Sequence, residues 1–350
     1  MIQKHLFIFN LETNLDNPLL AFTHDWITSF SKKVEYIHVF STHVGRFDLP
    51  NNVDVNELGG GSLLKKIQAI FRLGKASLAI LNLRRESIVF HHMSTKTGIF
   101  PGIFIRILGV PQGLWYSHSA HPFSLHLASK IVNVIITSTN GAFPFKSSKV
   151  SYVGHGLEMS SALKVFDQMS PNRVGIVSLG RIARIKNLDK ILLSVPTNIN
   201  QFPISFIGPK DNNEDVESEL KAIATKNKIK LEILPPIDHS SVLKKLVSYS
   251  IYYSGTPKSV DKATIEAASV GCFVVTTEST AQVLTGMDLV WKELNKPNNL
   301  SLEQQMQILG DLTQLQDARL RRLIHEQSVK KNDVTTTVSK ILSKIMKSKL

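Results

Sequence analysis

Residues 250–277 constrain the fold of this chain more than any other stretch. An apolar run at 251–253 is followed by a polar turn at 254–259, a helical segment from about 261 to 269, a glycine and a second apolar run at 273–275. This succession predicts a βαβ unit whose turn lies at the carboxyl end of a parallel sheet, where ligands bind in open α/β sheets. The start of a helix carries unpaired N–H groups and a partial positive charge, which suit a phosphate. The stretch therefore predicts an α/β fold with an anion-binding turn.

Glu266 lies in the middle of the predicted helix, within the pattern Glu-Ala-Ala-x-x-Gly-Cys-x-Val-Val. From the residues alone it is either part of a solvated helix face or a carboxylate in a ligand cleft. The pattern resembles the donor-site helix of the family 4 glycosyltransferases, which have the GT-B fold. The resemblance implies that Glu266 accepts hydrogen bonds from the ribose of a sugar nucleotide. The family usually has a first Glu where this chain has Lys258. Three consequences stay open: Asp261 replaces that Glu, the donor sugar differs, or catalysis is lost.

A second segment combines Gly180 with Arg181 and Lys186 directly after a predicted strand at 174–179. Two cations beside a glycine suit a diphosphate, although a solvated turn is the simpler interpretation. The segment resembles the family's Gly-Arg-(four or five)-Lys motif, which implies that Arg181 and Lys186 hold the donor diphosphate. The remaining donor-binding residues that the resemblance indicates are Leu234 and Pro235 beside the base, and Lys258, Asp261, Lys262 and Ala263 near the start of the Glu266 helix.

His118 lies at the end of a predicted strand at 112–118 and is the most interesting residue of the first half of the chain. A histidine at a strand end lies at the expected crevice, whereas a lone histidine elsewhere is usually structural. Thr137-Ser138 and the turn at 154–158 also resemble the family, in which the strand-end histidine faces the transferred sugar. The resemblance thus implies catalytic roles for His118, Arg181 and Lys186. Lesser candidates with no metal-ligand spacing, for which a structural role is expected, are His91, His92 and His121.

The length of 350 residues suits two domains. Strands alternating with helices predict two Rossmann-like doubly wound α/β domains, and the resemblance implies that they face each other across a cleft. We expect an acceptor-side domain at 1–160, a linker near 157–172 and a donor-binding domain at 172–315. A basic helical tail at 316–350 is expected to pack back on the first domain.

The net charge of +13 calls for a partner. Residues 51–150 carry eleven Lys and Arg residues but three acidic ones. No recognition motif or interleaving of aromatic and basic residues supports nucleic acid. A basic amphipathic helix containing Lys65, Lys66 and Arg72 favours an anionic membrane surface, with a core-facing helix as an equal alternative. The apolar span 98–116 is interrupted by Arg, Pro and Gly, which favours a buried helix followed by a strand over a bilayer crossing.

The sequence also supports expectations about the cellular compartment and about metal binding. Cys272 is the only cysteine, which favours a reducing compartment, and the first residues predict no secretory signal. We expect a cytoplasmic protein, peripheral on the inner face of the cytoplasmic membrane. The chain has no Asp-x-Asp pair, so no metal or other cofactor is expected.

The leading hypothesis is a glycosyltransferase that moves a sugar from a nucleoside diphosphate sugar to a glycan or lipid-linked acceptor, with retention. Two alternatives remain: a non-catalytic sugar-nucleotide-binding protein and a sugar-nucleotide epimerase of the same fold.

Overall fold

The computed structural model describes residues 4–17, 20–59, 63–118, 120–168, 173–196, 202–211, 215–257 and 260–348. The chain divides into two compact units, one formed by Met1–Glu158 with Asp333–Leu350 and the other by Met159–Asn332. The chain therefore enters the second unit once and returns to the first with its last helix.

The first unit alternates strands and helices along most of its length. Its strands are β1 (His5–Thr13), β2 (Tyr36–Val44), β3 (Val53–Glu57), β4 (Ser87–His92), β5 (Gln112–Trp115), β6 (Val134–Thr137) and β7 (Val150–Tyr152). Its helices are α1 (Phe22–Ser31), α2 (Leu63–Asn82), α3 (Thr95–Ile107), α4 (Phe123–Ile131) and, at the end of the chain, α14 (Val334–Lys347).

The seven strands form one parallel sheet in the order β3-β2-β1-β4-β5-β6-β7. Successive side chains of a strand point to opposite faces, so the apolar strand β1 serves two cores. Leu6 and Ile8 pack in the core that contains α1 and α14, whereas Phe7 and Phe9 pack in the core that contains α2 and α3. Because helices cover both faces of the sheet, these strands are apolar almost throughout.

The second unit repeats the plan with a smaller sheet. Its strands are β8 (Ile176–Leu179), β9 (Ile204–Ile207), β10 (Leu231–Leu234), β11 (Ile251–Tyr253) and β12 (Phe273–Val275), in the parallel order β10-β9-β8-β11-β12. Its helices are α5 (Ser160–Asp167), α6 (Leu188–Ser194), α7 (Val216–Lys226), α8 (His239–Leu246), α9 (Lys262–Ser269), α10 (Ser279–Thr285), α11 (Met287–Glu293), α12 (Leu302–Gly310) and α13 (Gln314–Asn332). Two parallel sheets flanked by helices confirm the predicted fold class.

Two expectations about elements were wrong, and a third was wrong in part. The apolar run at 288–291, which on sequence alone predicts a short strand, is part of helix α11, because Met287, Val290 and Trp291 follow helical spacing and are all buried. The expected linker at 157–172 contains α5, which buries Phe166 against His325 of α13. In the span 98–116 the expected helix and the strand after it are present as α3 and β5, but the outer face of α3 is exposed and apolar.

The expected tail at 316–350 is divided between the units. Helix α13 belongs to the second unit, where the Arg321 guanidinium donates to the backbone carbonyls of Ser250 and Gly271 at 2.9 Å. Helix α14 belongs to the first unit and packs beside α1. Among the helices of the described residues, none combines the length and the apolar character needed to cross a bilayer.

Candidate functional site

The strand order of the second unit has a switch point beside β8. The chain passes from β8 to β9 on one side, and later to β11 on the other side. The loops after β8 (residues 180–187) and after β11 (residues 254–257 and 260–261) therefore begin at the same edge of the sheet, on both sides of this point. Ligands bind at such switch points in doubly wound sheets. We call these two segments the β8 loop and the β11 loop.

The β8 loop is held against β11 and the β11 loop by hydrogen bonds from side chains to backbone carbonyls. The Asn187 side-chain amide donates to the carbonyl of Gly255 at 2.8 Å, and the Tyr253 hydroxyl donates to the carbonyl of Asn187 at 2.8 Å. A Cβ at Gly255 would lie 2.2 Å from the carbonyl oxygen of Lys186, so only glycine allows this approach. Asn187 has a φ of +47°, a left-handed conformation that asparagine tolerates better than most residues. Sequence reasoning assigned no role to Asn187 or Gly255, although both lie within the motifs it singled out.

Gly180 and Arg181 begin the β8 loop. Gly180 has a φ of +123°, and a Cβ there would lie 3.2 Å from the Lys186 Nζ atom, so glycine leaves room for the ammonium group. Arg181 is exposed, and its guanidinium has no hydrogen-bond or ion-pair partner among the described residues. The neighbouring Arg184 instead binds Glu219 through both of its terminal nitrogens. Arg181 is thus available to a ligand.

Lys186 forms an ion pair with Asp261 of the β11 loop. The Nζ atom lies 2.5 Å from Oδ2, while Oδ1 accepts the backbone N–H of Thr264 at 2.9 Å and so caps helix α9. Burial raises the pKa of Asp261, but the charge of Lys186 and the hydrogen bonds from Lys186 and Thr264 outweigh it and lower that pKa. An ammonium group has three donors, so Lys186 keeps others for a ligand. Asp261 therefore positions Lys186 and the start of α9 together.

Helix α9 brings the remaining candidates of the βαβ unit close to the β8 loop. The backbone amides of Lys262 and Ala263 precede the capped amide of Thr264, at the positive end of the helix dipole. Glu266 is half-buried and follows the fully buried Ile265. Lys258 lies outside the described residues.

Leu234 and Pro235 lie at the end of β10, at the same edge of the sheet. The carbonyl of Leu234 accepts the N–H of Gly208 at 3.1 Å, the side chain of Leu234 is half-buried, and Pro235 is exposed. Strand β10 is two strands away from β8, which corresponds to about 10 Å at the usual strand spacing.

His118 belongs to the first unit and lies just beyond β5, whose end at Trp115 comes earlier than expected. Its side chain is exposed, and its Nδ1 atom accepts the backbone N–H of Ala120 at 2.9 Å. A neutral imidazole that accepts at Nδ1 carries its proton on Nε2, which is then a hydrogen-bond donor. The segment is fixed further by Tyr116, whose hydroxyl donates to the carbonyl of Ala120 at 2.8 Å.

The other candidate histidines pack against or hydrogen-bond to neighbouring side chains, as expected for a structural role. His91 is fully buried, with its ring nitrogens 3.1 Å from the Thr97 hydroxyl and 3.0 Å from the Gln112 side-chain oxygen. Burial lowers the pKa of His91 to about 4. His92 is buried beside Trp26, and His121 lies on the ring of Phe145. Within the described ranges, no group of three or more His, Cys, Asp or Glu side chains is placed to hold a metal ion.

The turn at 154–158 has a structural function in this chain. The carbonyl of Gly156 accepts the indole N–H of Trp26 at 2.7 Å, and a Cβ at Gly156 would collide with that ring. The carbonyl of Leu157 accepts the N–H of Val334 at the start of α14. The turn therefore joins the end of the first sheet to the last helix.

No family model matches the chain, and no curated protein is similar to it in sequence. Solved structures are similar in fold. Anabaena HepE in complex with UDP is 14% identical, with a TM-score of 0.64 over 98% of this chain and 100% of that one. A glycosyltransferase from Rickettsia africae is 12% identical, with a TM-score of 0.64 over 99% and 98%. The lipopolysaccharide outer core galactosyltransferase WaaB is 12% identical, with a TM-score of 0.60 over 99% and 100%. The fold is thus that of the GT-B glycosyltransferases.

Proposed function

We propose that the protein is a retaining glycosyltransferase of the cytoplasm that uses a nucleoside diphosphate sugar. Its acceptor is a glycan or a lipid-linked saccharide, in the synthesis of cell-surface polysaccharide or another glycoconjugate. The observation that supports this proposal best is the contact between the β8 loop and the β11 loop at the switch point. Among the residues that the structure describes, Arg181 has no partner, and Lys186 is fixed beside the start of α9. Anabaena HepE, which has the same fold, was solved with UDP and with UDP-glucose, so UDP-sugars are the first donors to test.

In this proposal, fixed positive charge stabilises the diphosphate as it leaves the sugar. Arg181 and Lys186 contact its oxygens, and the amides of Lys262 and Ala263 add the dipole of α9. Glu266 accepts hydrogen bonds from the ribose. Asp261 holds Lys186 and the start of α9 in place before the donor binds, and such preorganisation is the condition under which electrostatic stabilisation is most effective.

The two ends of the donor have separate contacts. The backbone at Leu234 and Pro235 contacts the base, whereas the proposed contact of His118 with the transferred sugar rests on the family resemblance.

Donor affinity tests the proposed diphosphate site. We expect Arg181→Ala and Lys186→Ala to weaken UDP and UDP-glucose binding tenfold or more in titration calorimetry, because each change removes about 1.5–3 kcal/mol of charge-assisted hydrogen bonding. Arg184→Ala is the matched control, since Arg184 belongs to the same loop but is paired with Glu219. Unchanged affinity in both variants of the site would contradict the proposed donor site.

Product analysis separates transfer from the two alternative functions. Incubation of the protein with UDP-sugars and a mixture of lipid-linked and free glycan acceptors should release UDP and form a glycosylated product with the anomeric configuration of the donor. Binding without turnover would favour a sugar-nucleotide-binding protein, and an inverted sugar nucleotide formed without acceptor would favour an epimerase.

A further inference from the structure

Helices α2, α3 and α4 form one layer that contains no acidic residue. All three cover the same face of the first sheet, since Ala76, Ile105 and Leu125 pack under them into the two cores of that face. Their sequences contain no Asp or Glu, and residues 87–157 contain none either. We call the exposed side of this layer the α2–α4 face.

Large apolar side chains cover much of the α2–α4 face. Phe71 of α2 is 72% exposed, and Phe100 and Ile107 of α3 are 74% and 78% exposed. Exposed neighbours of the same kind are Leu78, Ile103 and Phe123. Single apolar residues are common on protein surfaces, but a group of them on adjacent helices marks a site of association.

A groove of about 540 Å³ runs between α2 and α3 in this face. Leu73 and Gly74 line it on the α2 side, and Phe100 and Phe104 line it on the α3 side. Its walls are thus apolar, and its dimensions are sufficient for part of an acyl chain.

Positive charges lie among the apolar side chains. Arg72 and Lys75 of α2 and Lys96 of α3 are exposed, and Lys96 also lines the groove. Exposed cations around exposed aromatic and aliphatic side chains are typical of proteins that lie at a membrane interface. A second copy of the same face would bring like charges together, so charge complementarity favours an anionic surface over self-association.

We propose that the α2–α4 face docks on an anionic lipid bilayer. Phe71, Phe100 and Ile107 enter the boundary between headgroups and acyl chains, while Arg72 and Lys75 contact the headgroups. Sequence reasoning located only the basic helix α2, with Lys65 and Lys66, whose side chains lie outside those that the structure describes. It missed the part played by α3, which it treated as a buried helix. The docking surface is independent of the proposed glycosyl transfer.

Vesicle flotation of the full-length protein tests this surface. We expect binding to vesicles of phosphatidylcholine containing phosphatidylglycerol, and at least tenfold weaker binding to phosphatidylcholine alone. The triple variant Arg72→Gln, Lys75→Gln and Lys96→Gln should weaken binding to the anionic vesicles tenfold or more. Salt should weaken binding of the unaltered protein as the Debye length falls from ~10 Å at 0.1 M to ~3 Å at 1 M.

A second variant tests the apolar part of the face. Phe71→Ser, Phe100→Ser and Ile107→Ser together should reduce binding at least tenfold with little change in melting temperature, because these side chains are mostly exposed. The matched control removes three exposed charges of the second unit, and its substitutions are Lys226→Gln, Lys244→Gln and Lys296→Gln.

Two results would overturn the proposal. One is vesicle binding that does not depend on this face, seen either as equal loss in the control and the charge variant or as no effect of the charge variant and the apolar variant. The other is dimerisation in analytical ultracentrifugation that the apolar variant abolishes, since the face would then join two copies of the chain.

Discussion

Asp261 has a structural role that the sequence did not indicate. Its two oxygens lie within hydrogen-bonding distance of Lys186 and Thr264, so it fixes Lys186 and the start of α9 together. The sequence could not show this, because Lys186 and Asp261 are 75 residues apart and only the fold brings them together. In contrast, Arg181 could be found from sequence, since a cation directly after a buried strand and a glycine must lie at the sheet edge.

Buried His91 should make the stability of the first unit depend on pH. Its pKa is about 4 in the folded chain, and the ordinary value is 6.5, so the unfolded state binds more protons between these values. The free energy of unfolding should therefore be fully retained above pH 6.5 and fall by about 3 kcal/mol as the pH is lowered to 4. Urea unfolding followed by tryptophan fluorescence in a Trp291→Phe background measures this unit, because the other two tryptophans belong to it.

The variant His91→Gln should have a flatter pH profile than the parent chain, whatever its absolute stability. The exposed His121→Gln serves as the control and should keep the parental slope. Identical slopes for His91→Gln and the parent would show that His91 is not responsible.

At the scale of elements, the buried strands and the amphipathic helices could be predicted because their periodicity is strong. The secondary structure of the short segment 288–291 could not be predicted, since four residues do not distinguish a strand from a turn of helix. Helix α3 shows a second limit of prediction from the sequence. Gly98 lies against Ala128 of α4, and a Cβ at Gly102 would lie 3.3 Å from Gln112. Its small residues and Ile105 therefore form the packed side, whereas Phe100 and Ile107 are exposed, a distribution that hydropathy alone does not reveal.

Arg321 anchors α13 to the sheet of the second unit. It donates two hydrogen bonds to Asp317 and one each to the carbonyls of Ser250 and Gly271. Because Arg321→Met removes the buried partner of the Asp317 carboxylate and of the Gly271 carbonyl, we expect a loss of about 3–5 kcal/mol in the stability of this unit. Arg322→Met, the exposed neighbour, should be nearly neutral. Denaturant unfolding monitored by peptide-level hydrogen exchange measures both variants, and equal effects would contradict the anchoring role.

At the scale of the molecule, the sequence predicted two α/β units but not where the chain crosses between them. The second crossing lies between Asn332 and Asp333, inside what was expected to be one tail. The basic composition of that tail suggested a single segment, but the side chains that each helix buries assign α13 and α14 to different units. Helix α13 buries polar and charged groups against the second sheet, whereas α14 presents a regular apolar stripe to the first.

Helix α14 should support the first unit alone. Ile341 is fully buried in the core that contains Trp26, so Ile341→Ala should cost about 2–5 kcal/mol through lost burial and the cavity left behind. Each unit has its own core, so hydrogen exchange under mildly denaturing conditions should show protection falling in β1 and β4 but not in β8 and β9. Lys340→Ala, exposed on the same helix, should leave both units unchanged. An equal fall in both sheets would mean that the two units unfold as one.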